Sequence, residues 1–452
     1  MIDSLGTRGA RLVAAVLLVG LTGGVQRLAA QQDTTGGART VTLDEAINMA
    51  LQTQPAVIQA EGDVDMAHAG QREALGSFLP SLNANGNMSQ SSNTRINATT
   101  GIPQTFPGGV SYSTGLSASL VLFNGFARLA QTRSANATAT SADAALTNQK
   151  FQVILQTKQA FFNSLAAADL VSAAQTQLER AQRQLQVSKD KLAAGSGIRS
   201  DTLSATVDVG NAELALLNAR AQQATAEANL ARLIGVEGAV HASGQPALPD
   251  LTTLDTASLR QEAISASPNV LAAEAQARAA GAQVAVSRAQ YFPSVTLSYS
   301  TSYAGSDSLA RLPSAVGTWP NLLNSWSFRL GMSWPIFNGF TRETNMTRST
   351  TARDVAVAQA ADAQRQANAN FTQQLAGLEA AAQQVVIAQA SRAAADENLR
   401  VQQERYRLGA ATIVDVLTAE ASLGQAEVSL VQARLAVLTA KAQIEAIIGR
   451  EL

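Results

Sequence analysis

One long internal repeat limits how this 452-residue chain can fold. The motif Phe-Asn-Gly-Phe stands at 123–126 and again at 337–340, 214 positions later. Alternating apolar and polar residues precede both copies and a long Ala/Gln-rich pattern follows, which predicts a strand, a turn and a helix. Other pairs recur at offsets of 213 or 214 residues: Pro80 with Pro293, Gly195 with Gly409, Asp201 with Asp415, and Gly235 with Gly449. The chain is therefore a tandem duplication, and so long a period excludes short solenoid repeats.

The first thirty residues carry the pattern of an export signal. Arg8 and Arg11 precede an apolar run at 12–21, and Leu28-Ala29-Ala30 offers a cleavage site before Gln31. The run is about half the length that a helix needs to cross a bilayer. We expect residues 1–30 to be a signal peptide that is removed on export, followed by a first structural repeat at 31–240 and a second at 241–452.

Composition excludes several classes of function. The chain has no cysteine, which excludes disulfides, thiolate metal sites and a lipid anchor on an N-terminal cysteine. The two histidines, His68 and His241, stand at unmatched positions of the two halves, so we predict neither a metal site nor a cofactor. The formal net charge of −1 gives no reason to expect nucleic acid as a partner.

The sequence gives little evidence of a catalytic site. Ser188 and Lys191 fit the S-x-x-K pattern of some serine hydrolases, but they lie within a helical pattern and lack a strand–turn elbow. The chain also lacks a phosphate-binding loop, so any nucleotide energy must come from a partner. We predict that the protein is not an enzyme.

Four segments alternate apolar and polar residues over about ten positions, the length of a tilted membrane strand. We place these strands at about 80–90, 111–123, 293–303 and 325–335, with Ser/Asn/Gly/Pro-rich loops at about 90–110 and 304–324. After the export signal no run of eighteen apolar residues occurs, so any membrane crossing must be a β-barrel. A soluble sandwich with one wet face is the alternative.

Arg329 distinguishes the two faces of the last strand. Trp326, Phe328 and Leu330 share one face, and Arg329 lies on the other with serines. An arginine facing lipid at the bilayer midplane costs roughly 2–4 kcal/mol, so the polar face should line a lumen. Four strands cannot close a barrel, since about eight are needed around even a packed interior. The chain must therefore oligomerise: two copies would leave a nearly plugged bore, and three would leave room for water.

Long helical patterns separate the strand pairs. We predict helices at about 43–78 with a break at Pro55, 127–194 and 198–235, then at about 259–291 with a break at Pro268, 341–408 and 412–449; the stretch 236–257 joins the halves. Apolar seams recur every seven residues, a period that specifies left-handed supercoiling against neighbouring helices. They are Val171, Leu178, Leu185 and Leu192 in the first repeat, and Val416, Leu423, Leu430, Val437 and Ile444 in the second. Such narrow, alanine-rich seams favour a thin-walled helical tube wetted on both sides.

Duplicated motifs mark the ends of the strands. Phe78-Leu79-Pro80-Ser81 and Phe292-Pro293-Ser294 enter them, and the two Phe-Asn-Gly-Phe motifs leave them, so the strand–helix junctions are Pro80, Asn124, Gly125, Pro293, Asn338 and Gly339. Together with the run from Tyr406 to Leu417, these motifs resemble the TolC-type outer-membrane efflux proteins over nearly all of the mature sequence.

The resemblance implies an α+β membrane protein. In that family three chains pool four strands each into a 12-strand barrel in the outer membrane, and an α-helical coiled-coil barrel continues it through the periplasm. It also implies a homotrimer in contact with outer-membrane lipid, a periplasmic adaptor and an inner-membrane pump. The expected function is a passive, gated exit duct for efflux or type I secretion, with its cargo left open among drugs, metal ions and polypeptides.

The family closes its periplasmic end with two helix–turn–helix hairpins. Here the corresponding turns, implied to dock the adaptor, are Gly195, Ser196 and Gly197, and Gly409, Ala410 and Ala411. Asp201 and Asp415 follow the turns, and three chains would place six carboxylates around one opening. Such crowding predicts raised, coupled pKa values and cation preference. The alternative is that both aspartates merely lie at helix starts, where the helix dipole favours them.

Tyr406 matches the tyrosine that this family uses in its gate-locking hydrogen bonds, although it also continues an apolar seam. The basic residue often found after the second turn glycine is replaced by Ala411, and Arg199 is a possible substitute. The alternative function is a trimeric coiled-coil stalk or adhesin with a small membrane anchor. Such a protein would carry its anchor at one end of the chain, whereas here the strand pairs lie inside each half.

Overall fold

The computed structural model describes residues 39–99, 101–244, 246–247, 255–306 and 323–452, so the predicted export signal lies outside the described residues. Its helices are α1 (Leu43–Thr53), α2 (Pro55–Gly76), α3 (Ala127–Ala193), α4 (Arg199–Ile234), α5 (Thr256–Ser265), α6 (Pro268–Ala289), α7 (Thr341–Arg407) and α8 (Ile413–Ile448). Its strands are β1 (Arg39–Val41), β2 (Ser81–Ile96), β3 (Pro103–Asn124), β4 (Val240–Ala242), β5 (Ser294–Ser306) and β6 (Leu323–Ser333). One short strand, two helices, two long strands and two helices occur in this order twice.

Prolines begin the second helix of each repeat. Pro55 starts α2 and Pro268 starts α6, because a proline fits the first turn of a helix, where its missing N–H would have no partner. The residue before Pro55, Gln54, is extended (ψ 123°) and ends α1. Its side chain donates a hydrogen bond to the Leu233 carbonyl, so the opening helices meet the end of α4.

The two longest helices, α3 and α7, have 67 residues each. At 1.5 Å per residue each is about 100 Å long. Along one half α3 contacts α2 and α6, and along the other half it contacts α4 and α8. Each repeat therefore runs as one long helix beside three shorter ones that together match its length. No helix in the described ranges combines the length and apolar character needed to cross a membrane.

The four long strands form one antiparallel sheet in the order β2-β3-β5-β6. Its register collects apolar residues on one face: Leu297 lies opposite Leu120 on β3 and opposite Leu330 on β6. The neighbouring Ser298 lies opposite Ser119 and Arg329, on the other face. One face of the sheet is therefore apolar across its strands and the other polar, because side chains alternate along each strand.

The predicted loop at 90–110 is wrong over most of its length. β2 continues to Ile96 and β3 begins at Pro103, with a register shift between Gln90 and Ser92. Beyond that shift the Thr94 and Thr105 hydroxyls lie 3.0 Å apart across the strands. The Ser/Asn/Thr-rich composition resembles a loop, but strand pairing uses backbone groups and continues where neither face enters a core. Most of the second predicted loop, 304–324, lies outside the described residues.

The stretch 236–257, interpreted above as a linker, contains a strand. β4 pairs in parallel with β1, with Val41 opposite Ala242. Val41 and Val240 are fully buried against Phe161, Leu230 and Ile234, which come from α3 and α4. The junction between the repeats is therefore packed onto an apolar core midway along α3.

Candidate functional site: the helical hairpin ends

The α3–α4 and α7–α8 hairpins turn in the same way. Gly195 (φ 71°) and Gly409 (φ 77°) take the left-handed conformation that glycine tolerates best. The N–H of Ser196 donates to the Lys191 carbonyl over 3.0 Å, and the N–H of Ala410 donates to the Arg405 carbonyl over 2.7 Å. These bonds satisfy the last carbonyls of each helix, as expected of a glycine-terminated helix.

Tyr406 joins the two hairpins. Its ring is 4% exposed and packs with Leu399, Ile413 and Val416, so it is a seam residue. Its hydroxyl also donates a hydrogen bond of 3.1 Å to Asp201 Oδ2 in the first turn of α4. Burial, together with the hydrogen bond to Asp201 and the charge of that group, raises the pKa of Tyr406, so the hydroxyl keeps its proton at neutral pH.

Two residues that the sequence analysis set aside lie against Tyr406. The Lys191 ammonium lies 3.9 Å from the ring centroid and donates to the Tyr406 carbonyl. The Ser188 hydroxyl is 3.5 Å from that of Tyr406. Their spacing of three residues places both on one face of α3, which is the signal that could have identified them. Both residues of the S-x-x-K pattern therefore lie where the two hairpins pack against each other.

The cation beside Tyr406 is therefore Lys191, and not the suggested Arg199. Arg199 is exposed at the first position of α4, while Ala411 lies in the turn after Gly409. An ammonium over an aromatic face is attracted by the ring quadrupole. Lys191 on α3 is therefore the positive charge that the structure places against the Tyr406 ring.

Asp415 differs from Asp201 in its surroundings. It forms a capping box with Thr412, accepting from the Thr412 N–H (2.8 Å) while its own N–H donates to the Thr412 hydroxyl (3.3 Å). The Thr412 hydroxyl also donates to this carboxylate over 2.8 Å. The bonds from the Thr412 N–H and hydroxyl, the backbone one first, lower the pKa of the Asp415 carboxyl. Within one chain this is opposite to the raised pKa expected of a crowded ring, because the partner of the carboxylate is its own helix start. The structure thus pairs Tyr406 with Asp201 and leaves Asp415 at a helix cap.

The strand–helix junctions are duplicated in detail. Pro80 and Pro293 directly precede β2 and β5, Asn124 ends β3 and Asn338 lies in the turn after β6. Gly125 and Gly339 have φ angles of 67° and 66°, and the phenylalanines that follow them are also left-handed. In each motif the two phenylalanine rings meet edge to face, with centroids 5.3 Å and 5.4 Å apart. The chain therefore reverses from strand to helix by the same local structure twice.

A pair of arginines that the sequence analysis missed reinforces these junctions. Arg128 lies over the Phe78 ring and donates to the Leu122 carbonyl (2.9 Å). Arg342 lies over the Tyr291 ring and donates to the Ile336 carbonyl (3.0 Å). The two arginines stand 214 positions apart, so the repeat offset alone could have identified them.

The fold defines a class of proteins in which one four-stranded antiparallel sheet is continued by long helical hairpins, built from two repeats of one chain. A sequence profile described as outer membrane efflux protein matches residues 46–236 and 259–450, one segment in each repeat. The chain belongs to this family. The prediction of a TolC-type protein is thereby confirmed, as are the outer-membrane location and the role as an efflux channel.

Relatives and solved structures agree with this assignment. The chain is 27% identical to the pyoverdine export outer membrane protein OpmQ of Pseudomonas aeruginosa, over 90% of this chain and 85% of OpmQ. It is 25% identical to the outer membrane efflux protein BepC of Brucella suis, over 72% and 69% of the two chains.

The fold is similar to that of VceC from Vibrio cholerae, with a TM-score of 0.73 and 19% identity, over 90% and 96% of the chains. It is also similar to the open state of the Neisseria gonorrhoeae MtrE channel, with a TM-score of 0.72 and 22% identity, over 90% and 89%. The family has a transport role and not an enzymatic one.

Proposed function

We propose that three copies of this chain form one outer-membrane duct, with a 12-strand barrel continued by a helical tube. The observation that carries the proposal is the strand order. Within the described residues β2 pairs only with β3, and β6 only with β5, so each chain presents two long strand edges. Exposed edges of this length invite pairing with another chain. A barrel closed by strands from identical copies would leave no strand edge unpaired.

The duplication supports a particular pairing between copies. Inside the chain, β3 of the first repeat pairs with β5 of the second, with Leu116 opposite Thr301. The repeat offsets carry Leu116 onto Leu330 and Thr301 onto Met88. The same junction formed between two copies would set Leu330 of one copy opposite Met88 of the next, apolar against apolar. The register inside the chain thus predicts the register between chains.

Packing at the strand–helix junctions supports the same ring. A side chain at Gly125 would meet the Ala289 carbonyl and Phe292 of the second repeat at 2.5 Å and 2.7 Å. At the equivalent Gly339 nothing in the described part of the chain lies within 4 Å of such a side chain. The offset of 213 residues carries Ala289 onto Gly76, at the end of α2. The open side of Gly339 is therefore where α2 of the next copy would lie.

The number of copies follows from barrel dimensions. Eight strands leave an interior that side chains fill, whereas larger barrels enclose water. Two copies would supply eight strands, and three supply twelve. An exit duct needs a water-filled bore, which favours three copies.

The hairpins would form the closed end of this duct. Hydrogen bonding between Tyr406 and Asp201 holds the α7–α8 hairpin to the α3–α4 hairpin, and the carboxylates of Asp201 and Asp415 from three chains would surround the opening as a cation-preferring ring. The proposed docking surface for a periplasmic adaptor consists of the turns Gly195, Ser196, Gly197, Gly409, Ala410 and Ala411. Contact there with an adaptor and an inner-membrane pump would separate the hairpins, and the pump would supply the work.

Cross-linking tests the ring directly, because a chain without cysteine accepts introduced pairs cleanly. The same register between copies would place Ser333 of one copy opposite Asn85 of the next. Ser333→Cys with Asn85→Cys should give a covalent ladder that ends at three chains. Ser333→Cys with Gly86→Cys, one residue out of register and on the other face, is the matched control. A ladder ending at another number, or equal cross-linking of both pairs, would overturn the proposal.

A further inference from the structure

Two acidic side chains meet where the hairpins pack on each other. Asp208 lies on α4 and Glu420 on α8, each two to three turns beyond the hairpin ends. Their carboxyl groups are within hydrogen-bonding reach of each other. Glu420 is 4% exposed. An acidic pair in such a place is costly unless a proton or a cation compensates it.

The cation whose charge acts on Glu420, Arg180, is already paired with another carboxylate. Arg180 on α3 forms two hydrogen bonds with the Glu427 carboxylate, at 2.8 Å and 3.2 Å. From α7 the neighbour of Glu420 is the uncharged Gln403 amide. Within the described residues Glu420 Oε1 is buried without a hydrogen-bond partner. A proton on this carboxyl would turn one of its oxygens into a donor toward Asp208.

The pKa values follow from this geometry. Burial first, and then the neighbouring Asp208 carboxylate, raises the pKa of Glu420 to about 7, against an opposing effect of Arg180 and Gln403. Burial also raises the pKa of Asp208. Closer to the turns, Tyr406 on α7 has a raised pKa and bonds to Asp201 on α4. The proton that moves near neutral pH therefore belongs to the Asp208–Glu420 pair.

We propose that the Asp208–Glu420 pair is a proton-operated latch that holds the α3–α4 and α7–α8 hairpins together. With one proton shared, the pair is a hydrogen bond between α4 and α8. With both carboxyls ionised, repulsion and the gain of hydration favour separation of the two helices. The latch rests on the proposed gate at the hairpin ends, and it adds regulation by pH to that gate.

The direction of the pH effect follows from proton counting. The closed hairpins hold a proton that separated, hydrated carboxyls would release, since the ordinary glutamate pKa is 4.5. The stabilisation of the closed form is fully present below that value and is lost as pH rises to about 7. Across this window the equilibrium constant for separation should rise by up to about tenfold per pH unit, and it should be flat above it.

Hydrogen exchange on the intact protein in detergent tests the latch. Protection of the first turns of α4 and α8, corrected for intrinsic exchange, is measured from about pH 5 to about pH 8. Wild type should lose up to about tenfold in protection per pH unit below pH 7. Glu420→Gln keeps the shape and can donate to Asp208, so its protection should be independent of pH. Asp208→Asn removes the neighbouring charge but leaves Glu420 buried, so its pH window should be narrower than that of wild type. Glu213→Gln, an exposed change on α4, should leave the wild-type slope.

Conductance in planar bilayers distinguishes a failure of the latch from a failure of the proposed channel. Opening of wild type should follow the same pH profile, and opening of Glu420→Gln should be rare at every pH. A wild-type exchange profile as flat as that of Glu420→Gln would overturn the latch, whatever the conductance. Conducting channels whose opening ignores pH, beside a sloping exchange profile, would overturn its role in the gate. A protein that forms no pores at all, yet shows the exchange slope, would refute the channel and leave the pair as a latch.

Discussion

The Tyr406 hydroxyl donates a hydrogen bond of 3.1 Å to Asp201 Oδ2, and these residues belong to different repeats and different hairpins. The ring of Tyr406 is packed among Leu399, Ile413 and Val416 independently of this bond. The polar link can therefore be removed while the apolar packing remains. Removing the hydroxyl oxygen of Tyr406 would therefore remove the hydrogen bond between the hairpins and keep the apolar packing of the ring.

Tyr406→Phe should make opening of the channel more frequent. Removing this hydrogen bond is worth about 1 kcal/mol in each chain, which raises the ratio of separated to closed hairpins about fivefold per chain and the ratio of open to closed channels by at least as much. Planar-bilayer recordings of wild type and variant measure this ratio. Asp201→Ala added to Tyr406→Phe should change it little further, since the bond is already absent. An unchanged ratio in Tyr406→Phe would show that packing alone closes the hairpins.

Asp415 should remain charged in acid. Its pKa is lowered by the Thr412 N–H and hydroxyl, so its carboxylate stays ionised, and its capping contribution is present, above the ordinary value of 3.8 and is lost only as pH falls further. Channels loosened by Tyr406→Phe should keep their cation selectivity down to about pH 4, by the ordinary titration of a capped carboxylate. Reversal potentials in a salt gradient measure this, and Asp415→Asn should reduce the selectivity at every pH. Selectivity unaffected by Asp415→Asn would reject its place in the ring.

Periodic features of the fold could be predicted from the sequence. The apolar and polar faces of each strand could be assigned from the alternation of apolar and polar residues. This assignment is well determined, because a shift of one residue would move every apolar side chain to the other face. The duplication and the heptad seam of α8 rest on spacing in the same way. The loop at 90–110 could not be predicted, because outside a core the composition of a strand resembles that of a loop. Leu192, assigned to a seam by its period, is 38% exposed, since it lies at the last turn of α3.

Within the candidate site, the contacts between segments distant in sequence could not be predicted. Tyr406 and Asp201 were identified by resemblance, but their hydrogen bond depends on how two hairpins pack. Glu420 was missed because a glutamate in a helical pattern usually faces water. Its burial against Asp208 depends on the supercoil of four helices, which no local spacing encodes.

The buried pair of Lys158 and Glu445 should be needed for stability. Their charged atoms lie 2.7 Å apart, and both side chains are less than one-tenth exposed. Lys158→Met would leave a buried carboxylate, with Lys441 at 3.6 Å as partial compensation, and should cost about 3 kcal/mol. Lys158→Met with Glu445→Leu should recover to within about 1 kcal/mol of wild type. Denaturant unfolding, followed by helical circular dichroism, measures the free energy of unfolding of the single and the double variant. A double variant as unstable as Lys158→Met alone would contradict a buried-charge effect.

The same pair predicts a loss of stability in strong base. Burial lowers the pKa of Lys158, but hydrogen bonds and charge from Glu445 and Glu451 outweigh it, and the net pKa is raised above 10.5. The stabilisation is therefore fully present below 10.5 and is lost as pH rises through the higher folded value. Unfolding midpoints of wild type should fall in that range, and those of the double variant should not show this fall.

The two faces of β6 should respond differently to charge. Leu330 belongs to the apolar face of the sheet and is 64% exposed in the single chain, whereas Ser327 lies on the polar face opposite Ser300. Leu330→Arg should cost roughly 2–4 kcal/mol in the membrane and reduce the amount of assembled protein in outer-membrane fractions. Ser327→Arg adds the same charge in the same strand and should be tolerated, as Arg329 is. Equal losses would refute the assignment of the lipid face.

The two glycines of the duplicated junctions should differ in their tolerance of alanine. Gly125 and Gly339 have nearly the same positive φ, so both substitutions carry a backbone strain of roughly 1–2 kcal/mol. Gly125→Ala would additionally place a methyl group 2.5 Å from the Ala289 carbonyl, within the chain, so that backbone must shift. Among the residues that the structure describes, Gly339 has no such neighbour, and in the proposed ring another copy would supply it.

In the single chain, refolded in detergent below the concentration of assembly, Gly125→Ala should therefore lower the unfolding midpoint more than Gly339→Ala. In the assembled protein the two losses should become similar, because α2 of the next copy then lies against Gly339. Unfolding midpoints measured at low and high protein concentration make the comparison. A difference between the two variants that persists unchanged on assembly would place no neighbouring copy at that junction.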